Sequence, residues 1–149
     1  MGALTAFDVD ALVANHQLDV YFETGTGEGV SLRHALRTKF DKYYTVDIDK
    51  DLLERTMHSV GSGTINVNWV WGTSTEAIQT ILPTLPNACR VLWYLDAHFP
   101  GADFRKISYE ESIRQFKEVA FPLEDELRLI CSKRNASNDV FILDDFVLY

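Results

Sequence analysis

The run Glu23-Thr24-Gly25-Thr26-Gly27-Glu28-Gly29 places three glycines at alternate positions behind an acid. Glycine reaches positive φ at no steric cost and lets the backbone approach a ligand closely. A turn of this composition, followed by a helix, offers free N–H groups and the positive end of a dipole to a nucleotide-like ligand. Asp47 and Asp49 follow at about the 20-residue distance at which an acid serves ribose hydroxyls. Of the two, Asp47 suits that role better, because Asp49 stands where a side-chain oxygen caps the next helix. A further group comprises Asp96 and His98 in Leu95-Asp96-Ala97-His98-Phe99, with Asp144-Asp145 near the end of the chain. Three carboxylates brought together repel one another unless a cation or a shared proton offsets their charge. Oxygen ligands of this kind suit Mg²⁺, Ca²⁺ or Mn²⁺. His98 has three open roles: general base, metal ligand, or a polar residue closing its loop.

These residues do chemistry together only if the elements between them bring their ends to one place. Apolar spacing predicts an opening helix from Phe7 to His16, with Phe7, Val9, Leu12 and Val13 on its buried side. A first strand from Leu18 to Phe22 runs into the glycine turn, and a helix from Gly29 to Phe40 buries Val30, Leu32, Ala35, Leu36 and Phe40. A second strand, Tyr43 to Val46, ends at Asp47; a helix from Leu52 to Val60 stops at Gly61-Ser62-Gly63. The third strand runs from Ile65 to Trp71, with Trp71 read as core, and a helix from Ser74 to Leu82 stops at Pro83. Val91 to Leu95 is an unbroken apolar run, as in a strand buried on both faces. A loop from Phe99 to Ser108 is the expected lid or substrate contact, before helices from Tyr109 to Val119 and Leu123 to Arg134 and a last strand from Val140 to Leu143. Alternating strands and helices of this kind imply a parallel sheet with right-handed crossovers. Every candidate residue follows the end of a strand, where open α/β sheets bind ligands.

The glycine turn separates two nucleotide families. A dinucleotide fingerprint needs a third glycine at position 30, which is Val30. The observed pattern, with Glu23 ahead of Gly25, Gly27 and Gly29, resembles motif I of the class I S-adenosylmethionine-dependent methyltransferases. The resemblance continues through Thr45-Val46-Asp47-Ile48-Asp49, whose acid and following apolar residue match the family's ribose and adenine contacts, and through Trp71-Gly72-Thr73. It departs at Thr73, where many members carry an acid. It implies an α/β, Rossmann-like three-layer αβα sandwich with sheet order 3-2-1-4-5 and a single domain over residues 1–149. It also implies that Glu23, Thr24, Gly25, Thr26, Gly27, Gly29, Asp47, Ile48, Gly72, Thr73 and Asp96 hold S-adenosyl-L-methionine. Asp96 and His98 are its catalytic candidates. Asp96, Asp144 and Asp145 are similar in position to the ligands of metal-dependent O-methyltransferases, which implies Mg²⁺ or another divalent cation and a small-molecule acceptor methylated at oxygen. The segments Leu95 to Phe104 and Pro122 to Leu127 also resemble a group of bacterial and phage methyltransferase-like proteins. Members of the larger family add strands six and seven, which have no counterpart before Tyr149; strand five is then an apolar edge, and three readings stay open: a fragment of a longer chain, a homo-oligomer formed through that edge, or an end that covers itself. A non-catalytic Rossmann-like binding or oligomerisation module is the competing reading.

Composition narrows the rest. With 14 basic and 22 acidic residues the net charge is −8, and the basic residues are scattered, which argues against a nucleic-acid partner. No apolar run is long enough for a membrane span. The first residues lack the basic and apolar regions of a signal peptide, and Cys89 and Cys131 form no disulfide or zinc pattern, so a cytoplasmic location is expected.

Overall fold

A computed structural model describes residues 4–61, 66–102, 106–117 and 119–144. Five strands form one sheet: β1 (Val20–Thr24), β2 (Lys42–Asp47), β3 (Val67–Trp71), β4 (Val91–Leu95) and β5 (Val140–Leu143). All are parallel, in the order β3-β2-β1-β4-β5. The helices are α1 (Val9–His16), α2 (Val30–Ala35), α3 (Lys50–Val60), α4 (Ser74–Ile81), α5 (Tyr109–Gln115) and α6 (Leu123–Lys133), with short 3₁₀ turns at Leu4–Ala6 and Leu82–Thr84. The arrangement is the α/β, Rossmann-like one expected from the alternation of elements.

Side chains alternate across the sheet, and each face builds its own core. Phe22, Tyr44, Val46, Trp93 and Leu95 pack against Ala77 and Ile78 of α4 and Leu123 and Ile130 of α6. On the other face Tyr21, Tyr43, Leu92, Tyr94 and Ile142 pack against Val9 of α1 and Leu32 and Ala35 of α2. Residues 20–24 and 91–95 are buried throughout because β1 and β4 are interior strands covered on both sides. Asp139 fixes the entry of β5 beside β4: its carboxylate accepts from Val91 N at 3.0 Å and Trp93 Nε1 at 2.9 Å.

Some boundaries differ from the expectation for identifiable reasons. α2 ends at Ala35, not Phe40. Beyond it Arg37 and Thr38 bond to carbonyls three residues back, and the Tyr43 hydroxyl donates to Thr38 O at 2.6 Å while accepting from Phe40 N at 3.1 Å. A strand side chain therefore closes the helix. α5 likewise stops at Gln115, and beyond it Val119 N donates to Phe116 O at 2.8 Å. Phe7 and Val30, expected on buried faces, are 45% and 56% exposed. Trp71, expected in the core, is 62% exposed. It ends edge strand β3 and lies along the following loop of β2, donating Nε1–H to Ile48 O at 3.1 Å with Lys50 Nζ 5.2 Å from its ring centre.

Candidate functional site

At the carboxyl ends of the strands a cavity of about 1250 Å³ opens between the glycine turn and the segments that follow β2, β3 and β4. It spans the point where the chain passes from β1 outward in opposite directions to β2 and β4, the position that parallel open sheets use for ligands.

The glycine turn is built by close backbone contacts. Gly25 has φ +80°, and a Cβ there would lie 2.5 Å from the Asp96 carbonyl oxygen. The close approach is therefore to the backbone leaving β4, a reason for glycine that the motif alone does not reveal. Gly29 has φ +73° and abuts the Thr56 methyl of α3. The amides of Gly25 and Thr26 donate to Val46 O at 2.9 and 3.0 Å, which ties the turn to the end of β2.

Asp47 completes that tie. Its carboxylate accepts from Gly27 N and Asp49 N, both at 2.8 Å, so one side chain joins the glycine turn to the β2–α3 loop. Burial raises its pKa, and the two amide donors offset part of that cost. Asp49 caps α3 by accepting from Leu52 N at 3.1 Å, the role expected of it. Its other oxygen meets Lys106 Nζ from the β4–α5 segment. Burial opposes ionisation of Asp49, but the Lys106 hydrogen bond, the Leu52 amide and the nearby positive charges hold its pKa below the ordinary value.

Glu23 and Thr24 are buried beneath the turn, and neither forms part of the cavity wall. Glu23 accepts from Tyr21 OH at 2.6 Å and Thr45 Oγ1 at 2.5 Å. Burial pushes its carboxyl up to about 7 against the lowering effect of those two hydroxyls. Thr24 Oγ1 accepts from Asp96 N at 3.3 Å.

Gly25, Thr26, Gly27, Asp47, Ile48, Gly72, Thr73 and Asp96 all line the cavity. Thr73 is also the N-cap of α4, in a reciprocal capping box with Glu76. The T-x-x-E spacing of Thr73 and Glu76 is legible in the sequence and gives Thr73 a structural role beside any ligand contact. Trp71 lies outside the wall.

The ends of β4 and β5 meet as expected. The Tyr94 hydroxyl lies 3.0 Å from Asp96 Oδ2 and 3.2 Å from Asp144 Oδ2. Burial and the adjacent Asp96 charge raise the Tyr94 pKa, so the phenol remains a donor between the two acids. His98 Nδ1 lies 3.1 Å from Asp96 O and 3.6 Å from Asp96 Oδ1. With Nδ1–H given to Asp96, Nε2 is the nitrogen left with the lone pair. Asp145 lies outside the described residues, and among those described no group of three or more His, Cys, Asp or Glu has the arrangement of a metal site. Of the expected metal centre of Asp96, Asp144 and Asp145, the described residues show Asp96 and Asp144 on either side of the Tyr94 hydroxyl.

Phe99 was not among the sequence candidates. It is buried at φ +37°, an unusual conformation for a bulky residue. Its ring meets Tyr109 at 5.1 Å and Phe121 at 5.0 Å, both edge to face. Phe99, Pro100, Gly101 and Tyr109 give the cavity an apolar flank beside His98. The expectation of a contact loop after β4 pointed at this flank; the aromatic cluster itself, assembled from residues 22 apart, has no local signature in the sequence.

No protein-family model matches the chain, and no curated protein matches it. Among solved structures it is similar to an uncharacterized COG1565 superfamily protein from Burkholderia thailandensis, at 19% identity and a TM-score of 0.40. That alignment covers 62% of this chain and 24% of the other, so this chain spans about a quarter of that protein's length.

Proposed function

We propose that the cavity binds S-adenosylmethionine and that the chain transfers its methyl group to a hydroxyl of a small molecule. The observation that carries this reading is the joining of Gly27 to Asp47 at 2.8 Å on a cavity that also holds Asp96 and His98. A glycine turn at the β1 end, fixed by the β2 acid, fits the nucleoside half of the cofactor; an acid–imidazole pair in the same space fits acceptor chemistry. The residues suit a cation-bearing ligand, since the acids Glu28, Asp47, Asp49, Asp96 and Asp144 border the cavity and outweigh the cations Arg33, Arg55 and Lys106 there.

In the proposed reaction the acceptor oxygen attacks the methyl carbon in line with the carbon–sulfur bond, which breaks as the carbon–oxygen bond forms. The sulfonium becomes a neutral thioether, and the acceptor's hydroxyl proton passes to His98 Nε2. Asp96 orients that imidazole and offsets the charge it acquires. The apolar flank of Phe99 and Tyr109 receives the body of the acceptor.

Isothermal calorimetry with S-adenosylmethionine, S-adenosylhomocysteine and nicotinamide adenine dinucleotide tests the binding step. The two sulfur nucleotides are expected to bind with one site per chain, and Asp47→Ala to weaken both by at least about tenfold, the loss expected for a charge-assisted hydrogen-bond network. Silence with both sulfur nucleotides overturns the reading. Binding without methyl transfer to any of a panel of phenols and alcohols identifies a binding module instead.

A further inference from the structure

Beneath the glycine turn runs a continuous chain of hydrogen-bonding groups. Tyr21 OH donates to Glu23 Oε2 at 2.6 Å, and Thr45 Oγ1 donates to Glu23 Oε1 at 2.5 Å. Thr45 Oγ1 in turn lies 2.6 Å from Thr26 Oγ1. Tyr21, Glu23, Thr24 and Thr45 are inaccessible, whereas Thr26 borders the cavity.

Counting protons gives this chain a direction. A hydroxyl has one proton to donate. Thr45 gives its proton to Glu23, so the proton in the Thr26–Thr45 contact belongs to Thr26. With Glu23 ionised, the three hydroxyl protons of Tyr21, Thr45 and Thr26 each have an acceptor inside the protein. Thr26 then has only lone pairs left for a ligand. A proton added to Glu23 on Oε1 must be donated to Thr45, whose own proton then turns to Thr26. The surplus proton leaves the chain at Thr26, where the cavity begins.

We propose that Glu23 is a positioning residue that sets, through Thr45, whether Thr26 accepts or donates a hydrogen bond at the cavity wall. Ionised, it makes Thr26 an acceptor suited to an ammonium or hydroxyl group of the ligand; protonated, it makes Thr26 a donor. The inference rests on the S-adenosylmethionine reading only for the identity of the ligand, whose amino group is the matching donor. Glu23 thus acts on the ligand at one remove, without the direct contact that its place at the head of the glycine motif implies.

The surroundings favour a proton that moves near neutrality. Burial raises the Glu23 carboxyl to about 7, with the charge of Asp47 on β2 adding to the effect and the Thr45 and Tyr21 hydroxyls opposing it. Tyr21 is held in its protonated, donating form by burial and by the charge of Glu23, with Tyr94 on β4 and Asp96 just after it adding to the effect. The basic side chains of the overlying α2 are engaged elsewhere: Arg33 binds Glu28 O and Ser59 Oγ, and His34 meets Phe7 O. No basic side chain contributes to the Glu23 shift.

Methyl-labelled threonine NMR on the ligand-free chain tests the relay. The Thr26 methyl resonance is expected to titrate in step with the Glu23 carboxyl carbon, with a midpoint near 7. In Thr45→Val, which keeps the shape and removes the hydroxyl, the Thr26 shift is expected to go flat, and Thr45→Ser is expected to restore it. A Thr26 resonance that is flat in the parent chain, or that still titrates in Thr45→Val, overturns the proposal. In the ligand arm, S-adenosylmethionine affinity is expected to rise about tenfold more between pH 6 and pH 8 in the parent than in Thr26→Val, the scale of one hydrogen bond to a charged group. The ligand's own amino group titrates alike in both proteins, so equal pH slopes overturn the proposal. Thr26→Val also carries the test if Thr45→Val does not fold. Absence of binding at every pH removes the proposed function, while the NMR titration still decides the relay.

Discussion

At the scale of single residues, Gly25 is where the backbone is least replaceable. A methyl there would press on the Asp96 carbonyl oxygen at 2.5 Å, a rigid backbone atom, at φ +80°. Positive φ in a non-glycine residue costs about 1–3 kcal/mol and overpacking a similar amount. Gly25→Ala is therefore expected to lower unfolding free energy by about 2–5 kcal/mol, read from the urea midpoint at unchanged slope. A loss below about 1 kcal/mol would show that the β4 exit can shift to make room. The glycine was legible as a special position, but its reason was not: the atom it must clear lies 71 residues away in sequence, on another strand. Asp49 and Asp47 were separable from the sequence alone, because capping has a local signature, the fixed three-residue reach to Leu52 N. Trp71 shows the opposite case. An aromatic residue ending a strand has the same local pattern whether a helix covers it or it lies along a neighbouring loop, and here the loop wins.

At the scale of elements, the apolar runs were the readable part. β4 and β5 fall at their expected bounds because each is a short apolar run with abrupt polar ends, β4 buried throughout and β5 half-buried at the sheet edge. Periodicity overextends α2 because the Tyr43 hydroxyl that closes it comes from the next strand, a partner that leaves no trace in the apolar spacing. α6 holds a further residue that periodicity misplaces: Glu126, in an acidic first turn, is fully buried against β1 and α4. Neither carboxyl oxygen has a well-formed hydrogen bond. Burial raises its pKa to about 7, and the hydroxyls of Ser74 and Thr24 are close enough to lower it in part. The unfolded chain releases this proton near 4.5, the folded chain only near 7. The folded state thus binds the proton more tightly, so the contribution is fully present below about 4.5 and is lost as pH rises to about 7. Glu23 adds a second loss of the same sign over the same window. Stability is expected to fall from pH 4.5 to 7 on account of these two groups, and Glu126→Gln to remove about half of that slope. The variant is also expected to be more stable than the parent at pH 8 by on the order of 2 kcal/mol, since an amide has no charge to bury. Thermal melts across the window check this, and an unchanged slope in Glu126→Gln would show that α6 lets water reach the carboxylate.

At the scale of the molecule, the cavity lies where the sheet divides, with β2 and β3 to one side of β1 and β4 and β5 to the other. That placement was legible because the candidate acids follow strand ends; how the two sides are joined across the opening was not. Within the sheet they share β1, and at the cavity rim they are bridged by Lys106, from the segment after β4, on Asp49, from the loop after β2. Both residues border the cavity, so a ligand bound as proposed would lie against a strap formed by this pair. The side chains are 44% and 23% exposed, and an ion pair so open contributes about 1 kcal/mol or less to folding. Its larger effect is on passage. Lys106→Met is expected to leave the unfolding midpoint nearly unchanged while S-adenosylhomocysteine dissociates several-fold faster, and added salt is expected to speed release from the parent but hardly from the variant. Stopped-flow displacement at low and high ionic strength measures both. Equal release from parent and variant would mean that the aromatic flank of Phe99 and Tyr109 holds the ligand without the strap, and salt-independent release from the parent would remove the charge pair from the exit path altogether.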